Sequence, residues 1–178
     1  GTTSLASGEK VAKDSPRIDA YGSIDELNAF IGELSDYYHR ATTDGEYIQH
    51  LKVIQQELFD IGGELATPAE ILDTSRQQVV TKEDIGRLED EIDLFNQDLK
   101  PLTNFVLPGG NLLNSKAHIC RTVCRRAERL IVTLAGQENI REELRIYVNR
   151  LSDWLFVFSR LMSKKFDAEE VLWNQKRR

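Results

Sequence analysis

Arg121, Arg125 and Glu128 recur at i, i+4 and i+7, a spacing that puts all three on one side of a helix. Arg126 and Arg129 flank them, so four arginines fall within nine residues of a chain whose formal net charge is −6. A guanidinium is a fixed fork of donors that matches phosphate or carboxylate. Two readings stand for this stretch alone: an anion-binding stripe, or a charged face that is merely wet. A second polar group, Asn149, Ser152 and Asp153, is spaced i, i+3 and i+4 among the apolar residues Val148, Trp154 and Phe156. It reads as a hydrogen-bonded site or a helix–helix contact. Asp25 stands among apolar positions, next to Glu26 and near Asn28. A carboxylate there is costly unless it is solvated or meets a cation such as arginine.

Three other stretches carry donors, apolar groups or thiols. Gly1 to Asp14 is rich in Gly, Thr and Ser and holds Lys10 and Lys13. Loops of that composition can wrap phosphates with N–H, hydroxyl and ammonium donors. Neither G-x-x-x-x-G-K-[ST] nor G-x-G-x-x-G occurs, so the segment by itself reads as a flexible arm. The run Phe105–Gly110 (Phe-Val-Leu-Pro-Gly-Gly) puts apolar residues in a connection, where they must bury against the bundle or meet a ligand; burial is the default. Cys120 and Cys124 are four apart with no metal-ligand partner at short spacing, and read as small buried packing groups. His39, His50 and His118 lack an acid partner at short spacing and receive no catalytic role. There is no Glu-x-x-His, so a di-iron bundle is set aside.

The elements that must position these groups are helices. After Ser15-Pro16, the apolar residues Ile18, Tyr21, Ile24, Leu27, Ile31 and Leu34 repeat at threes and fours, with Asp19 and Ser23 as start signals. Ile48, Leu51, Ile54, Leu58, Ile61 and Leu65 predict a second helix over Tyr47–Ala66, weakened at Gly62-Gly63 and ended by Thr67-Pro68. Residues 67–80 read as a loop. Thr81 to Asp84 resembles a capping box and opens a third helix through about Phe95. Gln97–Asn111 is a connection. The arginine helix follows to about Ala135, with Ile119, Val123, Ala127, Leu130, Ile131 and Leu134 as its apolar face. A fifth runs from about Glu142 to Phe166 and turns Ile146, Leu151, Leu155, Phe158 and Leu161 inward. No strand run emerges. The expected fold is an all-α, five-helix up-and-down bundle in one domain, 1–178, with an arm at 1–14 and a partly mobile tail at 168–178.

Composition bounds the function classes. With 40% hydrophobic and 29% charged residues over 178 positions, this is an ordinary globular chain of one-domain size. No apolar run reaches the roughly 18 residues needed to span a bilayer. The acidic balance argues against nucleic-acid binding, which rests on surplus positive charge. No signal-peptide pattern is visible and nothing requires an oxidising compartment, so a cytoplasmic location is expected. The chain opens at Gly1 rather than Met, which leaves an upstream targeting segment open.

Three blocks, in this order and spacing, resemble the PduO-type ATP:corrinoid adenosyltransferases. The first runs from Gly1-Thr-Thr-Ser-Leu5 to Asp14-Ser-Pro-Arg-Ile-Asp-Ala-Tyr-Gly-Ser-Ile-Asp-Glu-Leu-Asn28. The second joins Phe105–Gly110 to Arg121–Arg129, and the third is Val148-Asn-Arg-Leu-Ser-Asp-Trp-Leu-Phe156. One departure stands out: the Thr-Lys-x-Gly-Asp-like stretch that precedes the Gly-x-Thr of that family is not in this sequence, so a truncated chain or an incomplete phosphate loop is expected.

The resemblance implies a homotrimer of five-helix bundles with active sites between subunits. It implies transfer of the 5′-deoxyadenosyl group of ATP, with Mg²⁺ on its phosphates, to the cobalt of cob(I)alamin, releasing triphosphate. By position it casts Arg121 as the partner of the neighbouring subunit's Asp25. Arg125, Arg126, Glu128 and Asn149 become nucleotide contacts, supported by Ser152 and Asp153. Thr2, Thr3 and Lys13 become parts of the triphosphate loop, and Phe105 the aromatic against the corrin. A corrinoid reductase and an adenosylcobalamin-dependent enzyme are the implied partners. Two other readings remain open: a non-catalytic bundle that binds nucleotide or corrinoid for delivery or signalling, and a purely structural oligomerisation bundle.

Overall fold

Ser15 begins the first helix. Its backbone is extended (φ −73°, ψ 145°), its hydroxyl accepts from the Ile18 N–H, and Pro16 follows at the first helical position. The computed structural model of the chain describes residues 1–5, 7–74 and 79–174. Helix α1 spans Pro16–Ala41, α2 Ile48–Leu65, α3 Lys82–Asn96, α4 Leu112–Ala135 and α5 Glu142–Lys165. Asp19 and Ser23, expected as start signals, lie inside α1; Ser15-Pro16 supplies the stop-to-start geometry instead. The capping box at Thr81 and Asp84 is present, the Thr81 N–H donating to Asp84 Oδ2 at 2.7 Å. Helix α2 runs through Gly62-Gly63. Each glycine costs about 1 kcal/mol in a helix interior, but Leu58, Ile61 and Leu65 around them are fully buried, and packing decides.

The helices do not pack in simple chain order. Helix α1 packs on α2 and α4, and α5 packs on α4 and α3, giving the order α2–α1–α4–α5–α3 across the bundle. From Leu151 to Ser163 helix α5 is buried on most sides, with Asp153 exposed. Trp154 and Phe158 stack at 4.9 Å in its middle, both fully buried. Buried polar groups tie the far helices together. Arg87 on α3 reaches Glu57 on α2 at 2.5 Å and Glu91 at 2.6 Å, while the Tyr147 hydroxyl of α5 donates to Glu57. Arg17, 4% exposed, closes the end of α2 by donating to the carbonyls of Leu65 and Thr67, and pairs with Glu138.

Two short strands depart from the all-helical expectation. β1 (Thr2–Ser4) and β2 (Lys10–Ala12) pair antiparallel with Thr3 opposite Val11. Gly8 at φ 82° lets the chain turn between them, and the Lys13 N–H donates to the Gly1 carbonyl at 3.1 Å. The arm expected to be flexible is therefore a hairpin. Among the described residues, no helix is long and apolar enough to cross a membrane.

Candidate active site

Helix α4 carries the arginine stripe, and the loop before it is fastened by two asparagines. Asn111 is the N-cap: its side-chain oxygen accepts from the Asn114 N–H at 2.8 Å. Asn114 is buried; its Oδ1 accepts from the Gly109 N–H at 2.8 Å, and its Nδ2 donates to the Ser159 carbonyl and the Ser163 hydroxyl on α5. Gly109 and Gly110 sit at φ 129° and 100°, a conformation that side-chain-bearing residues rarely adopt, and this is what lets the chain double back from the apolar run into the helix. The Pro-Gly-Gly turn is thus locked onto α5, and the loop ahead of it has a fixed direction.

That loop holds Phe105 outward. Phe105 is 77% exposed, against the expectation that this run buries in the bundle. The apolar run finds partners along its backbone instead: Val106 bridges to Leu172, the Leu107 N–H donates to the Val171 carbonyl at 2.8 Å, and the Trp173 N–H donates to the Phe105 carbonyl at 2.7 Å. Of the tail expected to be partly mobile, Val171–Trp173 are paired to the loop here; 175–178 lie outside the described residues.

The structure joins Glu128 to Asn149. Asn149 Nδ2 on α5 donates to Glu128 Oε1 at 2.9 Å, so the stripe on α4 and the polar group on α5 form one patch. Ser152 supports it through its hydroxyl, which donates to the Asn149 carbonyl at 2.8 Å. Asp153 is exposed and accepts from Arg150 at 3.0 Å. Arg125 is exposed, and among the described residues its guanidinium has no ion-pair partner; only its carbonyl is engaged, by Arg129. Arg126 is paired with Glu26 across to α1.

Arg121 is half-buried. Its Nε donates to His118 Nδ1 at 3.1 Å, and His118 Nε2 lies 3.2 Å from the Ser159 hydroxyl, which itself donates to the Phe156 carbonyl at 2.6 Å. Donation therefore runs one way along four groups. Burial first, and the Arg121 charge second, push the His118 pKa down to about 4, so the imidazole is a neutral acceptor for Arg121. Burial and Arg125 lower the Arg121 pKa as well. Sequence spacing overlooked His118 as a support. The i, i+3 step to Arg121 was a signal; Ser159, forty-one positions away, gave none.

Other expected groups stay apart within one protomer. Asp25 is exposed, in a shallow cleft with Asn28, Gln55, Gln56 and Phe59, and makes no ion pair with Arg121. Thr2 and Thr3 lie on β1 and Lys13 just after β2; none is bonded to Arg125, Glu128 or Asn149. Ile119, placed on the buried face by periodicity, is 40% exposed, and Leu112 and Val132 on the same helix are 53% and 49% exposed. Cys120 and Cys124 are buried free thiols; burial raises both pKa values, that of Cys120 to about 12, and Cys124 Sγ donates to the Val148 carbonyl. Among the described residues, no group of three or more His, Cys, Asp or Glu is placed to hold a metal ion.

Residues 1–162 match the family model described as cobalamin adenosyltransferase. The chain is 41% identical over 181 residues to the cobalamin adenosyltransferase of Cupriavidus metallidurans, covering 99% of this chain and 91% of that protein. It is 41% identical over 160 residues to the corrinoid adenosyltransferase PduO of Salmonella typhimurium, a longer protein of which it spans 46%. Its fold matches a variant PduO-type ATP:corrinoid adenosyltransferase from Lactobacillus reuteri, solved with cobalamin and ATP, at TM-score 0.87 and 35% identity over 98% of this chain and 95% of that one.

Proposed function

This chain belongs to the cobalamin adenosyltransferase family, and we propose that it transfers the 5′-deoxyadenosyl group of ATP to the cobalt of cob(I)alamin, with triphosphate as the other product. ATP-dependent adenosylation of a corrinoid is the activity of the family. The relatives are transferases by name, and that favours catalysis over mere delivery of a cofactor.

The observation that supports a site on α4 is the unpaired guanidinium of Arg125 beside the Glu128–Asn149 pair. The nucleophile arrives with the substrate as reduced cobalt, so the protein needs no Ser, Cys or His nucleophile; its own thiols are buried and protonated. What remains is positioning and electrostatics. Attack at C5′ breaks the bond to the triphosphate and leaves negative charge on it. Arg125 stands where it can take that charge, with Arg126 beside it and Thr2, Thr3 and Lys13 as the wrapping arm. Charge-assisted hydrogen bonds of this kind contribute roughly 1.5–3 kcal/mol each. Glu128 and Asn149 hold the nucleoside, steadied by Ser152 next to Asp153. A magnesium ion would come with the nucleotide's phosphates.

Phe105 serves as an apolar wall against the corrin. Excluding an axial ligand from that side makes Co(II) easier to reduce, and an exposed ring held on a stiff loop suits the task. The site is completed between protomers of a homotrimer. Three observations support this: among the described residues the arm makes no bond to Arg125, Glu128 or Asn149 in its own protomer, neither Asp25 nor Arg121 has an ion-pair partner there, and α4 exposes Leu112, Ile119 and Val132. The partner subunit's Asp25 would meet Arg121. A reductase must supply the reduced corrinoid, and an enzyme that uses the alkylated cofactor must take it away.

The test is direct. Chemically reduced cobalamin and MgATP are incubated with the protein, and the adenosylated product and triphosphate are quantified. Equimolar formation of both is expected. Binding of both substrates without product would establish the delivery reading in place of this one.

A further inference from the structure

Arg160 lies on α5, 5% exposed, and its guanidinium holds two distant segments at once. Nε and Nη2 grip Glu170 in a fork, at 2.6 Å to Oε1 and 3.0 Å to Oε2. Nη2 also donates to the Lys100 carbonyl at 2.7 Å. Lys100 opens the loop that leads to Phe105, and Glu170 opens the segment that pairs with it. A cavity of about 460 Å³ lies between the two, with Arg160 on its wall.

Beyond Arg160 the segments form a small clamp. Val106 bridges to Leu172, Leu107 donates to the Val171 carbonyl, and Trp173 donates to the Phe105 carbonyl. Asn104 Nδ2 closes it by donating to the Trp173 carbonyl at 2.6 Å, and the Trp173 ring meets the Phe105 ring edge-on at 6.3 Å. Since Phe105 is 77% exposed, burial of its ring does not fix it; the clamp does. A lysine could not replace Arg160, because an ammonium has no planar fork to satisfy both carboxylate oxygens and a carbonyl together.

We propose that Arg160 is a positioning residue for the corrinoid side of the site: through Glu170 and the Lys100 carbonyl it sets the clamp that presents Phe105. This rests on Phe105 being the corrinoid wall. Arg160 touches no substrate in this account. It acts by denying the loop and the segment 168–174 the freedom to separate.

The experiment uses Glu170→Gln and Arg160→Lys, with Phe105→Ala as reference. Glu170 is partly exposed, so its variant tests the idea even where Arg160→Lys folds poorly. Clamp closure is read without corrinoid, as acrylamide quenching of Trp173, taken as the difference between each protein and its Trp173→Phe counterpart; Trp154 is fully buried and drops out. Glu170→Gln should raise Trp173 quenching at least twofold and the KM for cob(I)alamin about tenfold, with the KM for ATP within twofold. Unchanged quenching would overturn the proposal, because the fork would not hold the clamp. Raised quenching with an unchanged corrinoid KM, while Phe105→Ala does raise that KM, would also overturn it. If Phe105→Ala leaves the corrinoid KM and the Co(II) spectrum unaltered, the wall itself is wrong and the proposal falls with it.

Discussion

The imidazole of His118 accepts a hydrogen bond from Arg121 Nε at 3.1 Å, and so is neutral at physiological pH. The consequence is a pH dependence with a definite sign. The native pKa of about 4 lies below the ordinary 6.5, so the contribution is present above pH 6.5 and is lost as pH falls toward 4. The full loss is roughly 3.5 kcal/mol at about 1.4 kcal/mol per pKa unit. His118→Gln keeps a polar side chain that does not titrate. The stability gap between wild type and this variant, from urea unfolding, should shrink steadily between pH 6.5 and 4.5. A gap that is flat over this range would remove His118 from the account.

Arg125 supports nothing in the fold that an alanine would undo. Arg125→Ala should leave the unfolding free energy within about 0.5 kcal/mol of wild type, as for other exposed positions. Adenosylation should fall by a factor of about 10² or more, the scale of losing one charge-assisted donor to a departing anion. Unchanged turnover would place the triphosphate elsewhere.

Phe105→Ala should likewise spare stability, since the ring is exposed. ATP binding, followed by isothermal calorimetry, should be retained. The four-coordinate fraction of Co(II) in the presence of ATP should drop. A spectrum identical to wild type would argue that no apolar wall excludes the axial ligand.

Among the described residues neither Asp25 nor Arg121 has an ion-pair partner within the protomer, and each should find one across an interface. Asp25→Asn would leave a half-buried guanidinium uncompensated, a loss of about 3–5 kcal/mol when such a pair is buried. Sedimentation velocity should then show dissociation at concentrations where the wild type stays assembled. A native sedimentation profile for the variant would reject the pair.

Much of the bundle was legible because burial on α1 and α2 follows a strict period: Ile24, Leu27, Ile31 and Leu34, then Leu51, Ile54, Leu58 and Ile61, are all buried. The three sequence blocks also identified the family, since motifs coupled by spacing are far rarer than any one of them. The hairpin was not legible. Strands of three residues are too short to show alternation, and their register depends on Gly8 turning with positive φ. Ile119 misled because its period fits the buried face while its neighbours leave it at the edge. The helix start was misassigned for a local reason: Asp19 and Ser23 are plausible caps, but Pro16 fixes the first turn before either. The roles of Glu128 with Asn149, and of Arg160 with Glu170 and Lys100, depend on partners brought together only by packing of α4 and α5.

Generating Co(I) takes a powerful reductant, and many proteins lose cross-links in such company. Here both sulfurs sit unjoined inside the bundle, Cys124 spending its proton on the Val148 carbonyl. The scaffold therefore has no redox-labile bond to surrender while its substrate is driven to the lowest oxidation state it visits.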